Sequence, residues 1–468
     1  MAITNRYPLC IAAVSLFLAT ALTTPLMAVT TNQVGAGKTY STIQAAVSAS
    51  ANGDVVEIYP GTYSGAAAVA VINNSITIRG IGTRPVLDAT SYTIPNGKAI
   101  FEASGPDITI ENIEFMGAAV PDNNGAGIRP EGAKLTVRHC YFHDNQDGMV
   151  GGAVNSQFLI EYCEFARNGA GDGQSHNIYV NNIGKLTFQY NYSHNASTGH
   201  LFKSRAYVNY ILYNRLTDET GGNASYELDV PQGGLTYIIG NLIEQCPTTQ
   251  NHGMINFYEE CPPHGTATPN PTNIAYICNN TIVNDYGGGT VINNASTSAA
   301  VVINNIFVGG GTLFSGLGTP TNNLSLNGTQ LVNRASYDYH LIPYSSAIDW
   351  GVTPGVYSNF DLTPAYVYVH PTTCAVRQVM AALDVGAYEA TDPGSAYLHL
   401  TSLYKTNNNL YVNWLGNNAM SQILECKTNL FDSTWKLVSS NAPTATPYYA
   451  KTFVTNSPEI FFRIRATH

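Results

Sequence analysis

Short runs of alternating apolar and polar residues recur along most of this chain: ITIENIEFMG, LTVRHCYFHDN, FLIEYCEFARNG, LTFQYNYSHNA, YILYNRLTDE, TYIIGNLIEQ, AYICNNTIVND and VVINNIFVGG. Each reads as a short strand, a bend and a second short strand. Aligned on one position, they put Ile113, Cys140, Cys163, Asn191, Asn214, Asn241, Asn280 and Asn305 in a column, with spacings of 27, 23, 28, 23, 27, 39 and 25 residues. A β-type repeat of this period predicts a solenoid of parallel strands, in which a coil buries its apolar face only by stacking on the next. Asparagine amides can hydrogen-bond from coil to coil at a spacing of about 4.8 Å, so the Asn column is expected to be structural. The 39-residue spacing marks an inserted loop around ECPPHGTATPNPTN.

Composition agrees with this pattern. Tyr (30) and Gly (42) are abundant, and only 11% of the residues are charged, which suits strands and turns rather than helices. The net charge of -10 and the lack of a basic run argue against a nucleic-acid partner. An anionic substrate would therefore need a local cluster of cations. Arg6 followed by LCIAAVSLFLATAL and TPLMA reads as a secretory signal over residues 1–28, with a retained anchor as the alternative. No later segment is long and apolar enough to span a membrane, so a secreted location (extracellular, cell surface or periplasmic) is expected. Of eight cysteines, seven remain after cleavage; an odd number at irregular spacing is no disulfide framework, although Cys246, Cys261 and Cys278 could supply one local bridge.

Residues 29–390 carry the repeat. TDPGSAY reads as a linker at 391–396, and the alternating strands of 397–468 predict a small C-terminal β-sandwich, in which Trp414 and Trp435 are core aromatics rather than a sugar platform. The repeat resembles the right-handed parallel β-helix (pectin-lyase-like) superfamily. The opening KTYSTIQAAVSASANGDVVEIYPGTY is similar to its N-terminal capping helix and first strand, and DYHLIPYSSAIDWG and DVGAYE resemble its final coils. The implied fold is all-β, a right-handed parallel β-helix.

Lys203, Arg205, Glu227 and Asp229 fall, together with His176 and His200, in the segments GQSHNIYVNN, TGHLFKSRAY and ASYELDVPQG. Alternation puts Ile178, Val180, Phe202, Ser204, Leu228, Val230, Ile255 and Phe257 inside. Two outward columns are then expected: Asn177, Lys203, Glu227, Asn256, and beside them Tyr179, Arg205, Asp229, Tyr258. His176, His200 and Tyr226 lie alongside. The simplest structural reading is a surface ladder pairing Lys203 with Glu227 and Arg205 with Asp229, worth about 0–1 kcal/mol per pair. The functional reading is a polar strip for an extended polysaccharide, with substrate contacts from Asn177, Glu227, Asp229, Tyr226, Asn256 and Tyr258.

Cleavage of a uronic-acid polymer by β-elimination needs a cation for the carboxylate, a base for the adjacent carbon and an acid for the leaving oxygen. Lys203, Arg205, His176, Tyr179 and His200 are the candidates for these tasks. GHLFKSRAYVNYILYNRLTDE is distantly similar to the Lys-Ser segment of the chondroitinase-B and alginate-lyase family, which implies Lys203 as the base and an anionic polysaccharide as substrate. That resemblance also implies Ca²⁺, but His200 and Thr198 stand where its acidic ligands would be, and YELDVPQGG replaces the family's Arg-His-Gly motif. Two other readings remain. One is a glycoside hydrolase using Glu227 and Asp229, with Asp147 and Asp172 as more distant acids; the other is a non-catalytic carbohydrate-binding or adhesin-like protein. His194 reads as packed structure, Arg215 and Glu219 as surface and loop residues, and His252 and His264 as residues of the inserted loop's neighbourhood. N-terminal sequencing of the secreted protein should find a start near Val29; Met1 on a cytoplasmic product would refute the leader.

Overall fold

The computed structural model describes residues 28–343, 345–380, 382–390, 399–406, 409–415, 421–429, 431–441, 448–453 and 460–467. The expected leader, up to residue 27, and the linker at 391–396 lie outside them. Within the repeat, strands assemble into three parallel sheets of 12, 10 and 11 strands, each strand paired with its counterpart one coil away. The expected all-β solenoid is therefore the observed architecture.

One corner recurs in coil after coil from Asn112 onward. Asn112, His139, Tyr162, Tyr190, Tyr213, Asn279, Asn304 and Asn322 all have φ between 52° and 59°, and Gly240 has φ 68°. All but Asn322 immediately precede a residue of the predicted column, and Asn322 precedes Asn323, which extends it. This left-handed residue turns the chain from one sheet into the next and directs the following side chain inward. Four of these corners are bulky, and there the rings of His139, Tyr162, Tyr190 and Tyr213 stack in sequence at 5.0, 5.0 and 5.7 Å, which offsets the cost of the left-handed backbone. At Gly240 a Cβ would lie 2.5 Å from the Tyr213 ring, so this corner requires glycine.

The inward column is the expected ladder. Asn191, Asn214, Asn241 and Asn280 each donate Nδ2 to the Oδ1 of the next Asn at 2.9–3.1 Å, and Asn305 continues the ladder to Asn323 at 2.9 Å. Each Oδ1 also accepts the backbone N–H of the preceding column residue, as Asn241 does from Asn214 at 2.8 Å. Beside the ladder, Phe115, Phe142, Phe165, Phe188 and Phe202 pile up through the core at 4.8–6.0 Å.

At the N-terminal end, helix Ile43–Ser48 buries Ile43, Ala46 and Val47 against the first coil, and Thr42 caps it by accepting the Ala45 N–H. The other end departs from expectation. The last parallel strand is Leu324–Leu326, and the segments DYHLIPYSSAIDWG and DVGAYE are not coils. They return along the outside, where Tyr339, Leu341, Ile348, Val385 and Tyr388 cover Tyr192, Leu242, Val283, Ile306 and Val308. An apolar outer sheet face must be covered, and this segment covers it.

The C-terminal strands form two three-stranded antiparallel sheets with a core of Val412, Trp414 and Leu424, as the β-sandwich expectation required. Trp414 is fully buried and donates to Gln422 at 2.6 Å, while Trp435 is half-buried beneath Lys427 and Arg463. Cys246, Cys261 and Cys278 are free thiols, so no local bridge forms among them.

Asn241→Ala removes the Oδ1 that accepts both the Asn214 N–H and its Nδ2. Because two buried donors lose their acceptor, thermal unfolding should show a loss of about 2–4 kcal/mol. A change under 0.5 kcal/mol, within the range of ordinary surface substitutions, would show that the ladder contributes little.

Candidate functional site

The quoted segments meet on the ten-stranded sheet, but in a different register from the one expected. Tyr179 pairs with Lys203, Lys203 with Asp229, Asp229 with Asn256 and Asn256 with Asn293. Strict alternation had placed Asn177 and Glu227 beside Lys203. The strands here are only two or three residues long, Ile178–Val180, Lys203–Ser204 and Leu228–Val230, so alternation stops at their ends. Asn177 and Glu227 lie just before their strands and both point into the core, fully buried. Asn177 extends a second interior ladder by accepting from Asn168 at 3.0 Å. Tyr258 is also buried: it follows the strand Gly253–Phe257 with φ 76°, and its ring packs close to Gly233 instead of facing a substrate.

A second column runs beside the first, through Asp147, His176, His200, Tyr226 and Gly253. In it Asp147, His176 and His200 each accept a backbone N–H from the next coil. Asp147 accepts from His176 at 2.7 Å, His176 Nδ1 from His200 at 3.0 Å, and His200 Nδ1 from Tyr226 at 3.2 Å. The two imidazoles stack at 4.4 Å. With Nδ1 accepting, a neutral ring carries its proton on Nε2, and His200 directs that group at Asp229 Oδ2, 3.4 Å away.

The ion pairs also differ from expectation. Lys203 Nζ lies 3.6 Å from Asp229 and 3.4 Å from Glu260, and Arg205 makes a forked contact with Glu260 at 2.6–3.0 Å. Glu260 comes from the inserted loop, which is anchored over these coils by Asn270 donating to the carbonyls of Ala206 and Gly233. The 39-residue spacing from Asn241 to Asn280 signals the insertion, but periodicity does not place its carboxylate. Tyr179 sits 5.4 Å from the Lys203 ammonium and 5.0 Å from the Arg205 guanidinium. Among the remaining candidates, His194 contacts Glu164, and Arg215 is paired with Glu219.

The cluster opens onto two adjoining cavities along the same sheet. One, of about 300 Å³, is lined by Tyr226, Asn251, Asn256, Glu259 and Asn293 among others; the next, of about 390 Å³, by Glu259, His264, Asn293 and Ser315 among others. A separate cavity of about 460 Å³ lies on another sheet, beside the Arg334–Asp285 pair and far in register from Lys203.

Residues 64–243 match the family model described as right handed beta helix region. The chain folds as a parallel β-helix. A solved structure described as "Crystal structure of pectate lyase Pel9A" is similar at 15% identity with a TM-score of 0.49, covering 77% of this chain and 97% of that one. No curated protein matches significantly. The β-helix has no helix among its described residues that is long and apolar enough to cross a membrane.

Electrostatics assign different tasks to the site residues of this β-helix. Burial holds His176 and His200 well below the usual imidazole range, and the Lys203 cation adds to this, so both rings are neutral. They brace the site from below and are not exposed to substrate. Burial raises Asp229 to about 6 despite the pull of Lys203 and of Asn256, which donates to it at 2.8 Å. Burial also pushes Glu260 upward, but Arg205 and Lys203 outweigh that and hold it below its ordinary value. The Asp229 and Glu260 carboxylates converge on the Lys203 ammonium. Among the described residues no group of three or more His, Cys, Asp or Glu is arranged to hold a metal ion.

Glu227 has a different role. Neither of its oxygens has a hydrogen-bond partner, and the Oε1 of the nearby Gln245 is also unpaired because its Nε2 is used on the carbonyls of Asn251 and Gly253. Burial first, then the Asp218 carboxyl, hold Glu227 well above its ordinary value, while Gln245 offsets this in part without a well-formed bond. A protonated Glu227 can donate to Gln245 and satisfy both groups, which removes it from a hydrolytic pair. Native Glu227 retains a proton that the unfolded chain releases. Its contribution to stability is therefore full below the ordinary value of 4.5 and declines as pH rises above that. Glu227→Gln keeps a donor without the charge. Chemical denaturation near neutral pH should find it about 1–3 kcal/mol more stable than the parent, with a flatter decline above pH ~5; a destabilised variant at every pH would show that Glu227 is ionised and paired.

Proposed function

We propose that this β-helix is a secreted polysaccharide lyase that cleaves a uronic-acid-containing chain by β-elimination on the Lys203 face. The observation that carries the reading is the convergence of Lys203, Arg205 and Tyr179 on one open stretch of the sheet that also carries the two cavities. Arg205 uses Nε and Nη2 on Glu260, and Nη1 has no partner among the described residues. That group can receive the uronate carboxylate and stabilise the charge that develops when the neighbouring carbon loses its proton. Lys203, held in place by Asp229 and Glu260, first passes its ammonium proton to Asp229, 3.6 Å away, and then as the free amine takes the proton from that carbon. The electron pair forms the double bond, the bond to the glycosidic oxygen breaks, and the half-exposed Tyr179 hydroxyl protonates the leaving oxygen. His176 packs edge-on against Tyr179 at 5.6 Å and positions it.

A hydrolase remains the second reading, now with a different pair. Asp229, raised to about 6, and Glu260, lowered, flank the same ammonium, and two carboxyls driven apart in this way are what an acid and a base require. Against it, Asp229 is 2% exposed and both its oxygens are engaged.

A panel of polysaccharides, followed by ultraviolet absorbance of the unsaturated product and by new reducing ends, separates the readings. Absorbance with reducing ends is expected; reducing ends alone would mean hydrolysis, and binding without either would mean a carbohydrate-binding protein. Lys203→Ala should lower kcat by about a hundred- to ten-thousand-fold. Full activity in Lys203→Ala with none in Glu260→Gln would overturn the lyase in favour of the hydrolase.

A further inference from the structure

The column through the site changes its chemistry along the solenoid. Tyr179, Lys203 and Asp229 are followed in register by Asn256, Asn293 and Ser315, so ionic side chains give way to amides and a hydroxyl within one coil. These amides are aligned: Asn293 Nδ2 donates to Asn256 Oδ1 at 3.2 Å, and Asn256 Nδ2 donates to Asp229 Oδ1 at 2.8 Å. Asn293 lines both cavities, and its own Oδ1 has no donor among the described residues, which leaves an acceptor for a sugar hydroxyl. No lysine or arginine lines either cavity. The charged residue they share is Glu259, exposed, its Oε2 accepting from the Tyr226 hydroxyl at 3.2 Å. Tyr226 in turn lies over Gly253, where a Cβ would be 2.8 Å from its ring, so the first cavity keeps an aromatic wall above a bare backbone floor.

Coils repeat every ~4.8 Å, so a polymer lying along the column passes from Lys203 over these cavities within a few sugar residues. A carboxylate on the residue beside the uronate site would meet Glu259 with no lysine or arginine to neutralise it, only His252 and His264 standing at the cavity walls. A hydroxyl or an amine would meet acceptors.

We propose that the two cavities bind non-acidic sugar residues adjoining the uronate, and that the substrate is a mixed chain alternating uronate with hexose or hexosamine, not a homopolymer of uronate. The inference rests on the reading of Lys203 and Arg205 as the uronate site. Glu259 is its specificity-determining residue and takes no part in bond cleavage.

Calorimetric binding to the full chain tests this without requiring turnover. The probes are oligosaccharides of equal length: a homo-oligouronate, an alternating uronate–hexose and an alternating uronate–hexosamine. The alternating probes should bind about fivefold or more tighter than the homo-oligouronate, the size of one close charge–charge contact in water. Glu259→Gln should narrow that gap, and Glu259→Lys should reverse it, while Asn293→Ala should weaken the alternating probes alone. Equal or tighter binding of the homo-oligouronate by the native protein would overturn the inference, as would Glu259 variants that leave the order unchanged. Loss of all charged-probe binding in Arg205→Ala supports the uronate site. Unchanged binding in that variant would refute the uronate site itself, whichever sugar the cavities prefer.

Discussion

The structure depends on satisfying the backbone and side-chain polar groups at one interior corner, coil after coil. A left-handed residue turns the chain, the next residue points inward, and its amide has to find partners inside an apolar core. Stacking supplies them, because the neighbouring coil presents the same amide at the same height. A buried unpaired amide costs more than the bond gains, so a coil that slipped by one residue would lose this pairing as well as its packing. The corner thus fixes register, and register fixes which side chains share a column on every sheet.

The site follows from that rigidity. The Asp147, His176 and His200 acceptors repeat on the outer sheet what the asparagines do inside: each takes a backbone N–H from the following coil. Once Nδ1 is engaged in this way, the imidazoles are pinned and neutral, and they provide a dry base on which Tyr179 and Asp229 rest. Charge is then confined to a few groups whose environments differ sharply. Lys203 and Arg205 are held by acids on one side, Asp229 is driven up by burial, and Glu260 is pulled down by its cations.

The repeat made the fold legible. Spacing, alternation and the Asn column of 191, 214, 241, 280 and 305 identified the solenoid, and even the corner residues stand next to that column in the sequence. The site was legible as a region but not as a register. Lys203, Arg205, Tyr179 and Asp229 do cluster, because they lie in or directly beside strands and alternate as strands do. Asn177, Glu227 and Tyr258 depart from the expected columns because alternation has no force beyond the end of a strand, where a bend resets the direction of the side chain. Glu260 was missed for another reason: a loop returns in space along a path that periodicity does not describe. The outer cover formed by 331–390 was hidden likewise, since its short apolar runs look locally like further coils.

The inserted loop therefore separates two kinds of constraint. Residues within the coils answer to every neighbour above and below, and a change there disturbs the stack. The loop that brings Glu260 to Lys203 and Arg205 leaves the Asn241–Asn280 step of the ladder intact although 39 residues separate the two, so the stack registers neither its length nor its composition. The acidity around the two cations can accordingly be rewritten by exchanging a surface segment, and the scaffold can acquire a new substrate without having to learn a new way to fold.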